Sequence, residues 1–212
     1  MKKTGLFIFI AFLSFFLFSC HTGKMLEKPT TIMVVENELY LDKKSTGSNK
    51  YIDNYTKEEY RDKMLVSLKD AFLNCNLVIT DSPEKAEYTV VIDKYLIEES
   101  SVTETVNDQA SPYNGMSYVL STCDVQADYR IFIGAVSQQK MLEKTSVSAD
   151  KDEKVTNNRN LGDYIVGSNK DNSSYRQKEL FDDVFLTLSD KCGRRISADI
   201  SKRLYKYLKK GK

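Results

Sequence analysis

Histidine is nearly absent from this chain: His21 is the only one in 212 residues, and tryptophan is missing altogether. A single imidazole removes most His-dependent chemistry, because general-base triads and His-ligated metal sites need that ring in a defined place. Charge of one sign is lacking too. The 31 Lys and Arg stand against 30 Asp and Glu, a net charge of +1, without the basic excess of a nucleic-acid binder. Cysteine is sparse and scattered. Cys75, Cys123 and Cys192 lie far apart, whereas a zinc pattern shows close pairs. No Gly-x-Ser-x-Gly, His-Glu-x-x-His or Walker-type glycine loop occurs, which takes away the commonest motif-borne hydrolase and nucleotide chemistry.

What the chain does have is enough apolar material for one core. It is 41% hydrophobic and 29% charged, and its length suits a single domain of ordinary size. The long apolar run sits at the N-terminus. Met1, Lys2 and Lys3 give a short positive start, Gly5 to Phe18 are almost uninterruptedly apolar, and Ser19-Cys20 end the run before polar His21, Thr22 and Lys24. This has the build of a secretory signal and is shorter than the ~20 residues that span a bilayer.

Leu17-Phe18-Ser19-Cys20 resembles the lipobox of bacterial lipoproteins, with Phe18 departing from the small residue usual at that place. The resemblance implies cleavage before Cys20, acylation of that cysteine and a protein held at the membrane by its lipid, since two or three acyl chains anchor stably. The organisation expected is a signal peptide over 1–19, a polar tether over 20–30 containing His21, and one domain over 31–212.

The remainder reads as α+β. One strand is expected from Ile32 to Val35 and on through Leu39 to Leu41, then a loop over 43–54. Thr56-Lys-Glu-Glu59 matches a capping box, and Tyr60, Met64, Leu68, Ala71, Phe72 and Cys75 share one helical face, which predicts a helix over 56–75. A short strand over 77–80, a Pro83-containing helical turn and a strand over 88–97 follow. Val125, Ala127, Tyr129, Ile131 and Ile133 alternate with Asp124, Gln126, Asp128 and Arg130, a strand with one dry and one wet face. It pairs with 141–149 as an antiparallel hairpin. Phe181, Val184, Leu188, Cys192, Ile196, Ile200, Leu204 and Leu208 form a stripe that predicts a last helix over 175–209, with Gly193 as the point where it could be interrupted. The expected architecture is a two-layer sandwich, a mainly antiparallel sheet covered on one face by two helices. Ala86-Glu-Tyr88 opening a strand after a proline turn, the 125–149 hairpin and the long last helix resemble small envelope lipoproteins. The Lys-, Tyr- and Asn-rich style is similar to that of Bacteroidota lipoproteins.

Acidic clusters at Glu98-Glu99 and Asp150 to Glu153 read as solvated surface rather than glycosidase pairs. The basic tail, Lys202 to Lys212, reads as cations placed at a helix C-terminus, the sharper alternative being contact with anionic lipid or cell-wall polymer. The tyrosines read as core rather than a sugar platform. With Cys20 acylated, three cysteines remain, so at least one is free or intermolecular. If a disulfide forms within the chain it is expected between Cys75 and Cys192, and the alternative is three buried, inert thiols. The resulting expectation is a non-enzymatic lipoprotein of the outer membrane, facing the periplasm and without cofactor. It binds an envelope protein partner on the wet face around Asp124, Gln126, Asp128 and Arg130. The alternative is a lipoprotein that binds glycan or lipid.

Overall fold

A computed structural model describes residues 23–36, 39–47, 51–105, 107, 109–110, 114–115, 117–134, 140–156 and 183–211. Among them, six strands and two α-helices follow in the order β1 (Thr30–Val35), β2 (Tyr40–Thr46), a 3-10 turn (Tyr51–Asn54), α1 (Lys57–Leu73), β3 (Leu77–Ile79), a second 3-10 turn (Pro83–Lys85), β4 (Tyr88–Thr105), β5 (Ser117–Ile133), β6 (Lys140–Thr156) and α2 (Val184–Lys210). The signal segment, Cys20 and residues 175–182 of the expected last helix lie outside the described residues.

The fold is α+β with a mixed sheet, which corrects the expectation of a mainly antiparallel one. Its order is β3-β1-β4-β5-β6, and β2 also pairs with β4. β1 runs parallel to β3 and to β4, and β2 runs parallel to β4, while β4-β5 and β5-β6 are antiparallel. The physical reason lies in the connection. α1 separates β2 from β3, and a helical crossover returns the chain parallel to where it began. The single strand expected over 32–41 is two strands, which share β4 as a neighbour. β1 takes its 88–91 end and β2 its 94–100 stretch.

β4, β5 and β6 are 17 to 18 residues long, far longer than the apolar alternation that announced them. The outer part of β4, Ser100 to Thr105, is rich in Ser, Thr and Glu, and there the strand is held by its ladder pairing with β5.

α1 begins where its capping box predicts. The Thr56 hydroxyl accepts the Glu59 amide at 3.1 Å, and Glu59 Oε2 accepts the Thr56 amide at 2.7 Å; the backbone bond first and the hydroxyl second hold the Glu59 carboxyl below its usual range. Tyr60, Met64, Leu68 and Phe72 are fully buried. α2 runs unbroken through Gly193, so the interruption expected there is corrected. Gly193 serves instead as the place where α1 and α2 touch. Val184, Leu188, Cys192, Ile196, Ile200 and Leu204 form its buried stripe.

The core joins both helices to the dry face of β4 and β5. Val125, Ala127, Tyr129 and Ile131 are fully buried. Tyr129 donates to Asp199 Oδ2 at 2.5 Å, and Tyr95 donates to Ser189 Oγ at 2.6 Å, which satisfies hydroxyls that burial would otherwise penalise. Burial pushes both phenols well above the ordinary tyrosine range.

The tether expectation needs correction as well. From Gly23 onward the chain is docked. Leu26 is 2% exposed, its amide donates to the Cys75 carbonyl at 3.1 Å, and the Lys24 amide donates to Ser201 Oγ at 3.0 Å. One leucine in a polar stretch is enough to seat it, because a buried Leu is worth about 1.5–3 kcal/mol.

Candidate partner face of the sheet

The alternation in β5 aims Asp124, Gln126, Asp128 and Arg130 to the face opposite α2, and all four are half-buried. Register extends that face across three strands. Asp124 stands between Glu98 and Asp150, Gln126 between Leu96 and Ser148, Asp128 between Lys94 and Ser146, and Arg130 between Val91 and Lys144. Directly opposed residues in an antiparallel pair share a face. The surface is therefore graded, with carboxylates toward the far ends of β4 and β5 and cations toward Arg130.

Two features fix its geometry. A register shift between Ile92 and Lys94 leaves Asp93 without a ladder partner in β5, and a bulge re-aims the extra side chain. Asp93 meets Arg130 as a fork: Arg130 Nε donates to Oδ2 at 2.8 Å and Nη2 to Oδ1 at 2.6 Å. The same guanidinium lies 5.4 Å from the Phe132 ring centroid. Farther along the same face, Gln126 Nε2 donates to Asp128 Oδ1 at 3.0 Å. Sequence reasoning misses Asp93, since no local pattern marks which residue of a strand will bulge.

Glu98 and Glu99 divide. Glu98 is half-exposed and pairs with Lys44 at 3.4 Å, as surface acids do. Glu99 is only 2% exposed, which corrects its reading as solvated. It accepts the Tyr51 amide at 3.3 Å and the Ile52 amide at 3.0 Å, at the start of the first 3-10 turn. At the other end of that turn Lys43 Nζ donates to the Ile52 and Tyr55 carbonyls at 2.9 and 3.2 Å. An acid at the amide end and a base at the carbonyl end suit the turn's dipole. Burial raises the Glu99 carboxyl above its usual range, with the Ile52 and Tyr51 amides pulling the other way. This clamp is structural: Glu99 is spent on backbone amides, and Lys43 on two backbone carbonyls and an ion pair with Asp53 at 3.1 Å.

Cys75, Cys123 and Cys192 are all buried, and Cys75 and Cys192 carry free thiols, so the Cys75–Cys192 bridge is not formed. The geometry explains why. Cys75 Sγ lies beside Gly23, which also packs on Ser201, and Ser201 is nine residues beyond Cys192 on α2, about 13 Å along a helix axis. Disulfides need Cα atoms within about 7 Å. Cys192 instead lies 3.9 Å from the Val147 carbonyl. Of the tyrosines, Tyr60, Tyr88, Tyr95 and Tyr129 are core, while Tyr40 stands exposed on β2.

No group of His, Cys, Asp or Glu among the described residues could hold a metal ion. No helix among them is long and apolar enough to cross a membrane.

No family model matches the chain, and no curated protein matches it. Among solved structures it is similar to a neuraminyllactose-binding hemagglutinin homolog from Helicobacter pylori, with 12% identity, coverage of 90% of this chain and 95% of that one, and a TM-score of 0.45. A minor lipoprotein from Acinetobacter baumannii is similar at 11% identity, 84% and 92% coverage and a TM-score of 0.37. The rare lipoprotein B from Shewanella oneidensis follows at 8% identity, 81% and 96% coverage and a TM-score of 0.35.

Proposed function

We propose that this chain is a bacterial envelope lipoprotein, acylated at Cys20 and held at the outer membrane facing the periplasm, that works without catalysis by binding a protein partner. The observation that carries the binding role is the graded polar face of β4, β5 and β6, with Asp124, Gln126, Asp128 and Arg130 half-exposed and the Asp93–Arg130 fork holding its basic end. A rigid surface loses little side-chain freedom when a partner docks. β6 adds a second opportunity: among the described residues it is the last strand of the sheet, and an edge strand accepts another strand. The carboxylates that burial could tune for chemistry are already engaged, Glu99 with backbone amides and Asp199 with Tyr129 and Arg203.

The test combines two variants in cells. Cys20→Ala is expected to leave the membrane fraction; retention after a high-salt wash rejects the lipid anchor. Asp124→Lys with Asp128→Lys keeps the Asp93–Arg130 fork and is expected to melt near the parent while losing the partner cross-linked to the parent. If every cross-linked protein persists, this face is not the binding surface. A bound glycan or lipid in place of a protein supports the ligand-binding alternative.

A further inference from the structure

The C-terminal turns of α2 and the docked N-terminal segment come together at one corner of the molecule. The Lys24 amide donates to Ser201 Oγ at 3.0 Å, and Gly23 lies so close that a Cβ there would overlap that hydroxyl and come 3.1 Å from the Ala198 Cα. Only three residue steps separate Gly23 from Cys20, and a chain extends at most about 3.3–3.6 Å per residue. An acyl group on Cys20 would therefore hold this corner within roughly 10 Å of the lipid surface.

The same corner is basic. Lys202, Lys206 and Lys209 recur at four- and three-residue intervals on one stripe of α2, with Lys210 beside them, and all four are exposed. Among the described residues none of the four makes an ion pair, whereas Arg203 on the neighbouring stripe is held by Asp199 and Glu143. Lys24 is exposed on the docked segment, with Glu27 as its acidic neighbour. Two apolar side chains stand out among these charges, Met25 at 63% and Leu208 at 39% exposure. Leu208 lies seven residues, two turns, beyond Ser201 and so on the side where the N-terminal segment docks.

We propose that this corner is a membrane-contact surface: the lysine stripe of α2 sits on anionic phospholipid headgroups beside the lipid anchor, with Leu208 reaching the headgroup layer. It rests on the reading of Cys20 as the anchor for its placement, and on charge complementarity for its ligand. Lysines near an anionic leaflet each add to binding, and the effect is screened by salt. The proposal also orients the molecule. Tyr88, at the start of β4, packs on Tyr207 at a ring distance of 6.5 Å, so the 18 residues of β4 lead away from the bilayer over about 55 Å. The far ends of β4, β5 and β6 then project toward partners in the aqueous space.

The chain has no tryptophan, so a single introduced indole reports its own surroundings. The full chain, extracted from bacterial membranes, is prepared as Leu208→Trp and separately as Val102→Trp, a site exposed at the far end of β4. Each is reconstituted on vesicles of phosphatidylcholine alone or with one quarter phosphatidylglycerol, carrying brominated acyl chains as quencher. The Leu208→Trp emission is expected to shift blue and be quenched on the anionic vesicles, more than on phosphatidylcholine. The Val102→Trp emission is expected to stay unquenched on both. Adding Lys206→Gln, Lys209→Gln and Lys210→Gln to Leu208→Trp should bring its quenching down to the Val102→Trp level without releasing the protein. Equal quenching of the two single variants overturns the proposal. Flotation and intact mass separate this from the anchor. A Leu208→Trp chain that floats in high salt with its indole unquenched keeps the anchor and rejects the surface. One that floats only on anionic vesicles at low salt keeps the surface and rejects the anchor. One that never floats rejects both.

Discussion

Gly193 of α2 lies directly against the Met64 carbonyl of α1: a Cβ at that position would overlap the carbonyl oxygen and come 2.8 Å from the Leu68 nitrogen. The obstacle is helix backbone on both counts, so no side chain can swing aside. The helices must separate or slide, and the buried stripe that includes Met64, Leu68, Cys192 and Ile196 moves with them. Overpacking of this kind costs about 1–3 kcal/mol, against the gain of up to about 1 kcal/mol that Ala brings over Gly inside a helix. Gly193→Ala is therefore expected to lower the melting temperature, and Gly193→Val to lower it further. A Gly193→Ala chain that melts at or above the parent would show that α1 and α2 do not meet here.

That glycine also marks how far the sequence can be read. The 3.6-residue stripes of α1 and α2 and the alternation in β5 depend on local pattern, and each is legible, as is the capping box at Thr56. Gly193 is legible only as a weakness, because its purpose is a contact with Met64, far away in the chain. The parallel pairings share this cause: Ile32 opposite Tyr88 and Leu41 opposite Tyr95 are set by the α1 crossover, which no short-range spacing encodes. Glu99 is hidden for the same reason. Beside Glu98 it looks like half of a surface pair, and its burial follows from the 51–54 turn folding over it. On the candidate face the four residues of β5 come from alternation alone, while Asp93 arises from a bulge.

Glu99 predicts an unusual pH dependence. Its carboxyl is raised in the folded chain by burial, so the folded state holds the proton more tightly than the unfolded one. Stability from this group then grows as pH falls through the raised value toward the unfolded value near 4.5, and is lost as pH rises again. Glu99→Gln removes the charge and keeps an oxygen for the Tyr51 and Ile52 amides. The difference in unfolding free energy, parent minus variant, is expected to increase on going from neutral pH to the unfolded value. A slope of opposite sign would mean that the amide bonds outweigh burial. Glu99→Leu strands both amides and is expected to cost about 1–3 kcal/mol at either pH.

The two faces of β5 should answer differently to truncation. Ile131 is fully buried among the helices and the sheet, and Ile131→Ala opens a cavity expected to cost about 2–5 kcal/mol. Gln126 loses only a half-exposed hydrogen bond to Asp128, so Gln126→Ala is expected to stay within about 0.5 kcal/mol. Chemical denaturation of the two variants checks this. A costly Gln126→Ala would show that the wet face is covered.

The thiols can be counted. The chain has four cysteines; Cys75, Cys123 and Cys192 are buried, and burial pushes the Cys192 thiol up to about 12. The nucleophile is the thiolate, so a buried thiol with so high a value is doubly protected at neutral pH. Native protein is expected to react negligibly with a maleimide over minutes, and guanidinium should expose the thiols together as the single core opens. The number then released discriminates among chemistries. Three report an acylated Cys20 and no bridge, four an unmodified Cys20, and one a Cys75–Cys192 disulfide beside an acylated Cys20. The last outcome requires α1 and α2 to shift along one another by most of that axial separation, so it would overturn the seating of Cys75 beside Ser201 along with the free-thiol assignment.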